Sequence, residues 1–454
     1  MVIGYDVSRR LAFGVSFLTW VPHLCTLKVS CLKALNLLRV LSHTSWGADR
    51  ATLLRLYHVV IRSKLDYGCE VYSSATDARL RVLDPVHHAG VRLATGAFRS
   101  SPIPSLLVDA NEPPLDLRRQ SLMVRCWHRL HRLPDTLPCL AVSSDIMSQY
   151  YLLHSCAPWP FGFRVRKAME EMGIDDFQIC PVRVPRVAPW LLPEVFPCTC
   201  FTDKKEFLPP PVARSLFLEH AFTHRESLPV YTDGSKSDAG VGFGVALCNF
   251  NSSHPLVLAI LDWLVLLGRR GRKVTFCWVP AHVGVDGNER ADALAKAVVS
   301  NSRPPARHHP VPEVDLRPYI DATVRSCWQD RWDTIGANKL RDIRQRLGLW
   351  SYSGLSRRWE TALVRLRIGH TLLTHGFLME RAHPPYCDDC LVPLTVRHLI
   401  VECPSLGDLR RRHLSEYRKG DGSYSLFQVL GEEACCVGGN TLSYVEEAGL
   451  LHKL

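Results

Sequence analysis

Residues 274–297, VTFCWVPAHVGVDGNERADALAKA, contain the change of period that decides the fold. Val274 to Val279 is rich in β-branched and aromatic residues and reads as a strand, which Pro280 stops. The loop that follows carries His282, and a helix opens near Asp286-Gly287 with Ala291, Leu294, Ala295 and Val298 on its inward face. Glu289 and Asp292 lie three residues apart and so share one face of that helix.

Upstream, Val230-Tyr231-Thr232 reads as a strand running into the turn Asp233-Gly234-Ser235. Gly240, Gly242 and Gly244 alternate with Val241, Phe243 and Val245 in the manner of a hairpin. Carboxylates brought from a strand end, Asp233, and a helix start, Asp292, make a hard-oxygen site suited to Mg²⁺. His282 beside them is placed to shuttle a proton. Each residue also has a plain reading: Asp233 as a turn residue, Glu289 and Asp292 as complements to the helix dipole, His282 as a loop side chain.

Working outward, residues 29–100 read as helical, with Asp49 as N-cap of a helix whose stripe is Leu53, Leu56, Tyr57, Val60 and Ile61. Residues 133–230 hold many prolines, including the run Pro209-Pro210-Pro211, a pattern that predicts a connector without long regular elements. An apolar helix is expected over 256–267, where Asp262 reads as solvent-facing. A second proline-rich linker, Arg303 to Pro312, leads to a helical region with Ile320, Val324, Trp328 and Trp332 on one side.

The 454 residues are enough for about three domains at roughly 150 residues each. A net charge of +11 suits a polyanionic partner without demanding one. The 17 cysteines are scattered rather than set in a dense framework, which points to a reducing compartment, cytoplasm or nucleus. The longest apolar runs, Leu11 to Val21 and Leu256 to Leu267, are shorter than the roughly 20 residues of a membrane span.

A second chemical motif is YCDDCLVPLTVRHLIVECP, in which Cys387, Cys390, His398 and Cys403 recur in the order of a tetrahedral Zn²⁺ site. The alternative is a set of buried or free thiols. Asp388 and Asp389 stand beside it, and Arg410-Arg411-Arg412 follows as a phosphate contact or a solvated helix face. Arg269, Arg270, Arg272 and Lys273 precede the strand at 274 and are placed to grip backbone phosphates. Trp278 and Phe243 read as core packing.

The pair YTDGSKS (231–237) and VTFCWVPAHVGVDGNERADALAKA resembles the RNase H type 1 domain of non-LTR retrotransposon polyproteins of the arthropod, tick-transposon sort. Residues 32–72 and 89–107 are similar to the region after the reverse transcriptase palm in those polyproteins, and 358–378 with the cysteines beyond it to their C-terminal tail. The resemblance implies an α/β fold, a truncated RNase H-like mixed sheet with flanking helices, preceded and followed by mainly helical regions. Its segments are a helical region at 1–132, a connector at 133–227, a shortened RNase H domain at 228–302, and a helical C-terminal region at 313–454 with a CCHC zinc-knuckle-like site.

It further implies binding of an RNA:DNA hybrid and Mg²⁺-dependent hydrolysis of the RNA strand. Asp233 matches the first-strand metal ligand, Asp292 the ligand on the last helix, and His282 the loop histidine. Ser235, Lys236 and Asn288 join the four basic residues at 269–273 as nucleic-acid-binding candidates. The family also supplies a Glu and a second Asp from a helix and strand that have no counterpart here. The 59 positions from Asp233 to Asp292 are used up without them. Two-metal hydrolysis needs several carboxylates, so impaired ribonuclease activity is expected. A non-catalytic nucleic-acid-binding remnant is the alternative, and a decayed product without a role the third reading. Polymerases need paired palm aspartates, and the adjacent pairs Asp175-Asp176 and Asp388-Asp389 stand in other contexts, the second within the cysteine motif, so polymerisation is not expected.

Overall fold

The computed structural model describes residues 20–133, 159–181, 196–198, 208–227, 229–231, 236–237, 240–241, 255–280, 282–336, 338–350, 352, 354–432, 435 and 439–454, leaving out 302–309. The described chain is mostly helical and divides into two units, one built from parts of 1–174 and 320–454, the other from 128–140 and 175–319.

In the first unit, helix α1 (Val21–Leu41) packs with α2 (Arg50–Tyr57) and α3 (Asp84–Thr95). Asp49 caps α2 as the sequence predicts, accepting the Thr52 N–H at 2.9 Å. Leu53, Tyr57 and Ile61 are buried on its inner face, while Leu56 and Val60 are half-buried at its edge. A Cβ at Gly90 of α3 would lie 2.6 Å from the Tyr57 ring, so glycine is what lets these helices approach. Helices α4 (Ile103–Ala110), α5 (Leu115–Leu130) and α6 (Phe161–Met172) continue the bundle.

Helix α10 (Glu313–Thr334) brings Ile320, Val324, Trp328 and Trp332 into the core of this unit, all four buried as their spacing predicts. Helix α11 (Arg357–Ile368) is buried along most of its length against α4 and α3. Residues distant in sequence are tied here by charge. Arg50 Nη1 lies 2.6 Å from Asp109 Oδ2, the Arg50 guanidinium covers the Tyr352 ring at 4.5 Å, and Glu360 accepts the Arg50 N–H at 2.8 Å. Beyond α11, Leu366, Val396, Leu399, Ile400, Leu414 and Tyr444 share one apolar cluster.

In the second unit, β1 (Phe196–Cys198) pairs in parallel with β4 (Thr275–Cys277), Pro197 opposite Phe276. Strands β2 (Lys236–Ser237) and β3 (Gly240–Val241) pair antiparallel with Lys236 opposite Val241, one step beyond the expected hairpin, whose first strand is not formed at Val230 and Tyr231. These two pairings are the sheets among the described residues. Asp233, Ser235 and Phe243 lie outside those residues. Helix α7 (Pro210–Thr223) precedes the hairpin, α8 (Pro255–Arg269) precedes β4, and α9 (Asp286–Asn301) follows the loop after it.

Several local expectations are corrected. The proline-rich stretch does contain regular elements, α6 and α7. Pro210 opens α7 at the first helical position, where its missing N–H costs nothing, and Pro160 stands just outside α6. Trp278 is 55% exposed and Leu294 68% exposed, so neither is core. Trp278 stands just past the end of β4 (Thr275–Cys277), and the face of α9 that carries Leu294 has no apolar cover among the described residues.

Candidate metal centre

The four residues Cys387, Cys390, His398 and Cys403 converge, their ligating atoms all within 4.8 Å of one another. The first two come from a tight knuckle: Tyr386 bridges Pro393, Cys387 N–H donates to Val392 O at 2.9 Å, and Leu391 N–H donates to Cys387 O at 2.8 Å. Turning the chain so sharply puts Leu391 in the left-handed region at φ 56°. Thr395 Oγ1 then accepts the His398 N–H at 3.0 Å and starts a π-helical turn, His398–Glu402. That wider turn, closed by Cys403 N–H to His398 O at 2.7 Å, brings Cys403 to the side where His398 stands.

The thiol separations define the chemistry. Cys403 Sγ lies 3.9 Å from Cys387 Sγ and 3.8 Å from Cys390 Sγ. A disulfide needs about 2.05 Å, so these sulfurs are not bonded to each other. Three thiolates held about 2.3 Å from one tetrahedral ion would stand about 3.8 Å apart, which is the spacing found. His398 is buried and its Nε2 has no hydrogen-bond partner, the condition of a nitrogen reserved for a metal. The residues therefore fit a metal ion of tetrahedral, sulfur-and-nitrogen preference.

Further groups hold the site. Ser405 Oγ lies 3.1 Å from Cys403 Sγ, and the buried Arg410 donates from Nη2 to the Cys403 carbonyl. Burial pushes the Cys403 thiol up, but hydrogen bonds from Ser405 and Cys390 outweigh it and bring the thiol below its ordinary range. Desolvation and the neighbouring sulfurs push the Cys390 thiol up to about 11. The arginine triplet is divided in its contacts. Arg410 faces inward, Arg411 pairs with Asp408, and Arg412 pairs with Glu447.

A second convergence lies in the other unit, where His282, Glu289 and Asp292 bring their ligating atoms within 4.8 Å. Val283 and Val285 anchor the loop by burying against Ala213 of α7. Leading out of that anchor, His282 adopts φ 62°, with Nδ1 3.5 Å from Glu289 Oε2 and 3.8 Å from Asp292 Oδ2. Glu289 Oε1 also accepts the Gly284 N–H at 3.3 Å. Lys296, one turn along α9, donates to Asp292 Oδ2 at 2.5 Å. This ammonium was not singled out by the sequence motif, although the i, i+4 spacing from Asp292 is its signal.

Of the nucleic-acid candidates, Arg269, Arg270, Arg272 and Lys273 are all exposed, in the turn between α8 and β4, and Asp262 of α8 is exposed as read. Asn288 is 8% exposed, so its side chain faces inward. Lys236 stands in β2, while Asp233 and Ser235 lie outside the described residues. Among the described residues no helix is long and apolar enough to cross a membrane. Comparison with protein-family models, with curated proteins and with solved structures finds no match to this chain.

Proposed function

We propose that this chain is a nucleic-acid-binding protein of retrotransposon origin whose RNase H type 1 segment is shortened and whose RNA:DNA hybrid ribonuclease activity is impaired. The observation that carries the reading is the convergence of His282, Glu289 and Asp292 at the loop and first turns of α9, in the segment where the RNase H resemblance is strongest. Arg269, Arg270, Arg272 and Lys273 supply exposed cations one strand away in sequence, suited to backbone phosphates without sequence preference.

The same site explains the impairment. A pair of Mg²⁺ ions needs several well-placed oxygens; the described residues offer Glu289 and Asp292, the latter paired with the Lys296 ammonium, and Asp233, outside the described residues, is the third candidate. Without the Glu and second Asp of the family pattern, that donor set falls short of the carboxylates two Mg²⁺ ions would call for. What remains is His282 poised between two carboxylates and a basic turn that holds nucleic acid.

The C-terminal centre is assigned to Zn²⁺, held by Cys387, Cys390, His398 and Cys403. Four protein ligands leave no open position, so the ion supplies folding rather than catalysis. The role of these side chains is to fix the knuckle of 385–394 against the turn that begins at His398.

Purified full-length protein tests the proposal on a fluorescein-labelled RNA:DNA hybrid. With three or four phosphate contacts, affinity should fall about 40- to 150-fold between 50 and 200 mM salt. Replacing Arg269, Arg270, Arg272 and Lys273 by Ser should remove most of that dependence. Mg²⁺ should produce no cleavage above background. Mg²⁺-dependent cleavage abolished by Asp292→Asn would overturn the impairment, and salt-independent or absent binding would overturn the nucleic-acid reading.

A further inference from the structure

Helix α1 carries apolar residues on both sides, those of the outer face interspersed with the exposed Thr26, Lys33 and Asn36. Leu24, Cys31, Leu35 and Leu38 are buried against the bundle, as a core-facing stripe should be. On the opposite side Val29, Leu32, Leu37 and Val40 follow the i, i+3, i+8, i+11 pattern of a second stripe, with exposures of 51%, 39%, 65% and 69%. Four large apolar side chains repeating along an outward helix face are a surface that a partner helix can cover. Here one face has no cover among the described residues.

Charge identifies what would cover it. The helix, VPHLCTLKVSCLKALNLLRVL, contains Lys28, Lys33 and Arg39 and no acidic residue. Lys64 adds a further cation beside it, its Nζ 3.3 Å from Ser30 Oγ. Lys33 lies within the exposed face and the other two on one flank, where their stems extend the apolar surface and their charged heads ring it. A second copy of the same helix would bring these cations against one another. A duplex would find the charges but would have to desolvate Val29, Leu37 and Val40 against phosphates.

We propose that the outer face of α1 docks an amphipathic helix with acidic flanks, supplied by a partner protein. The helix has 21 residues, about 31 Å, room for a partner of some five to six turns. Leu and Ile of the partner would fill the gaps between Val29, Leu32, Leu37 and Val40, and Glu or Asp on its edges would meet Lys28, Lys33, Arg39 and Lys64. None of these residues belongs to the basic turn at 269–273 or to either metal-ligand cluster.

The test uses the full chain and two designed helical peptides of 21 residues, identical in their Leu/Ile stripe and differing only in Glu or Lys flanks. The acidic peptide should bind at least tenfold more tightly than the basic one in fluorescence anisotropy, and more weakly as salt is raised. Leu37→Ser with Val40→Ser, both at exposed positions, should weaken it about 100-fold, tenfold for each anchor lost, with helix content unchanged by circular dichroism. Lys33→Glu should narrow or reverse the preference between peptides. Equal binding of both peptides would overturn the proposal. So would a concentration-dependent dimer in light scattering that Leu37→Ser with Val40→Ser dissolves, which would assign the face to a second copy. Loss of hybrid affinity in that same variant would assign it to nucleic acid.

Discussion

Removing Asp109 should destabilise the first unit far more than removing its ion pair altogether. The Asp109 carboxylate is buried and lies 2.6 Å from Arg50 Nη1, while Arg50 is itself 5% exposed. Asp109→Ala leaves the Arg50 guanidinium in a dry site with the Asp109 main-chain carbonyl and the Tyr352 ring as its remaining partners. Breaking one side of a buried pair costs about 3–5 kcal/mol, because the surviving charge stays desolvated. Replacing both members, Arg50→Met with Asp109→Leu, removes the attraction and both desolvation costs together and should cost less than about 1.5 kcal/mol. Urea denaturation followed by far-ultraviolet circular dichroism measures both. With a slope of about 3 kcal/mol per molar for a unit of this size, Asp109→Ala should lower the midpoint by about 1–1.5 M and the double variant by about 0.5 M at most. Equal losses in the two variants, or a shift below about 0.3 M in Asp109→Ala, would refute the reasoning. The same experiment tests the union of the N- and C-terminal helical regions, since this pair meets Tyr352 and the backbone bond to Glu360.

The metal centre predicts that Co²⁺ added to chelator-treated protein gives thiolate charge-transfer and tetrahedral d–d absorption at one equivalent, lost in Cys403→Ser. Within the arginine triplet, Arg410→Ala should weaken metal retention and lower stability by more than about 1.5 kcal/mol, since it removes a charged donor from the Cys403 carbonyl. Arg411→Ala, whose partner is the exposed Asp408, should stay within about 0.5 kcal/mol of wild type in the same titration. Burial, and secondarily its neighbour His88, pushes His87 down to about 3, with Nδ1 2.5 Å from the Tyr57 hydroxyl. The folded protein keeps this imidazole neutral while the unfolded chain takes up a proton near pH 6.5, so its stabilising contribution is present above pH 6.5 and declines as pH falls toward 3. The decline should be at most about 1.4 kcal/mol per pH unit and should vanish from the pH dependence of His87→Gln, measured by chemical denaturation between pH 7 and 4.5.

What could be read from the sequence is what local geometry dictates. Asp49 caps α2 because a short acceptor before an apolar repeat has one good use, and Leu53, Tyr57 and Ile61 point inward because helical spacing leaves no other choice. Cys387, Cys390, His398 and Cys403 are close in the chain, so their convergence follows from a turn and a short helical segment. Trp278 and Leu294 fail for the complementary reason: period says which residues share a face, and only tertiary packing says whether anything covers that face. Arg50 is the hardest case. Nothing near it in sequence announces a buried charge, because its partners Asp109, Tyr352 and Glu360 lie up to 310 positions away.

On the proposed assignment, the charge of the Cys387/Cys390/His398/Cys403 centre bears on where nucleic acid would bind. A Zn²⁺ ion with three thiolates and a neutral imidazole carries a net charge of about −1. Asp388 and Asp389, both exposed on the turn between the first two cysteines, lower the local charge further. Of the cations around it, Arg410 is buried and donates to the Cys403 carbonyl, Arg397 pairs with Glu402, and Arg411 and Arg412 are engaged by Asp408 and Glu447. A phosphate backbone approaching this knuckle would meet repulsion, so Asp388→Asn with Asp389→Asn should leave hybrid affinity unchanged or raise it slightly. The +11 net charge of the chain is therefore not spread evenly over its two sequence-predicted contact sites. The exposed turn at 269–273 has four cations and no acid among its five residues. Salt dependence should follow substitutions there and not at the knuckle. If Asp388→Asn with Asp389→Asn increased hybrid affinity tenfold or more, phosphate would lie close to the metal loop and the division of labour between a binding turn and a structural ion would fail.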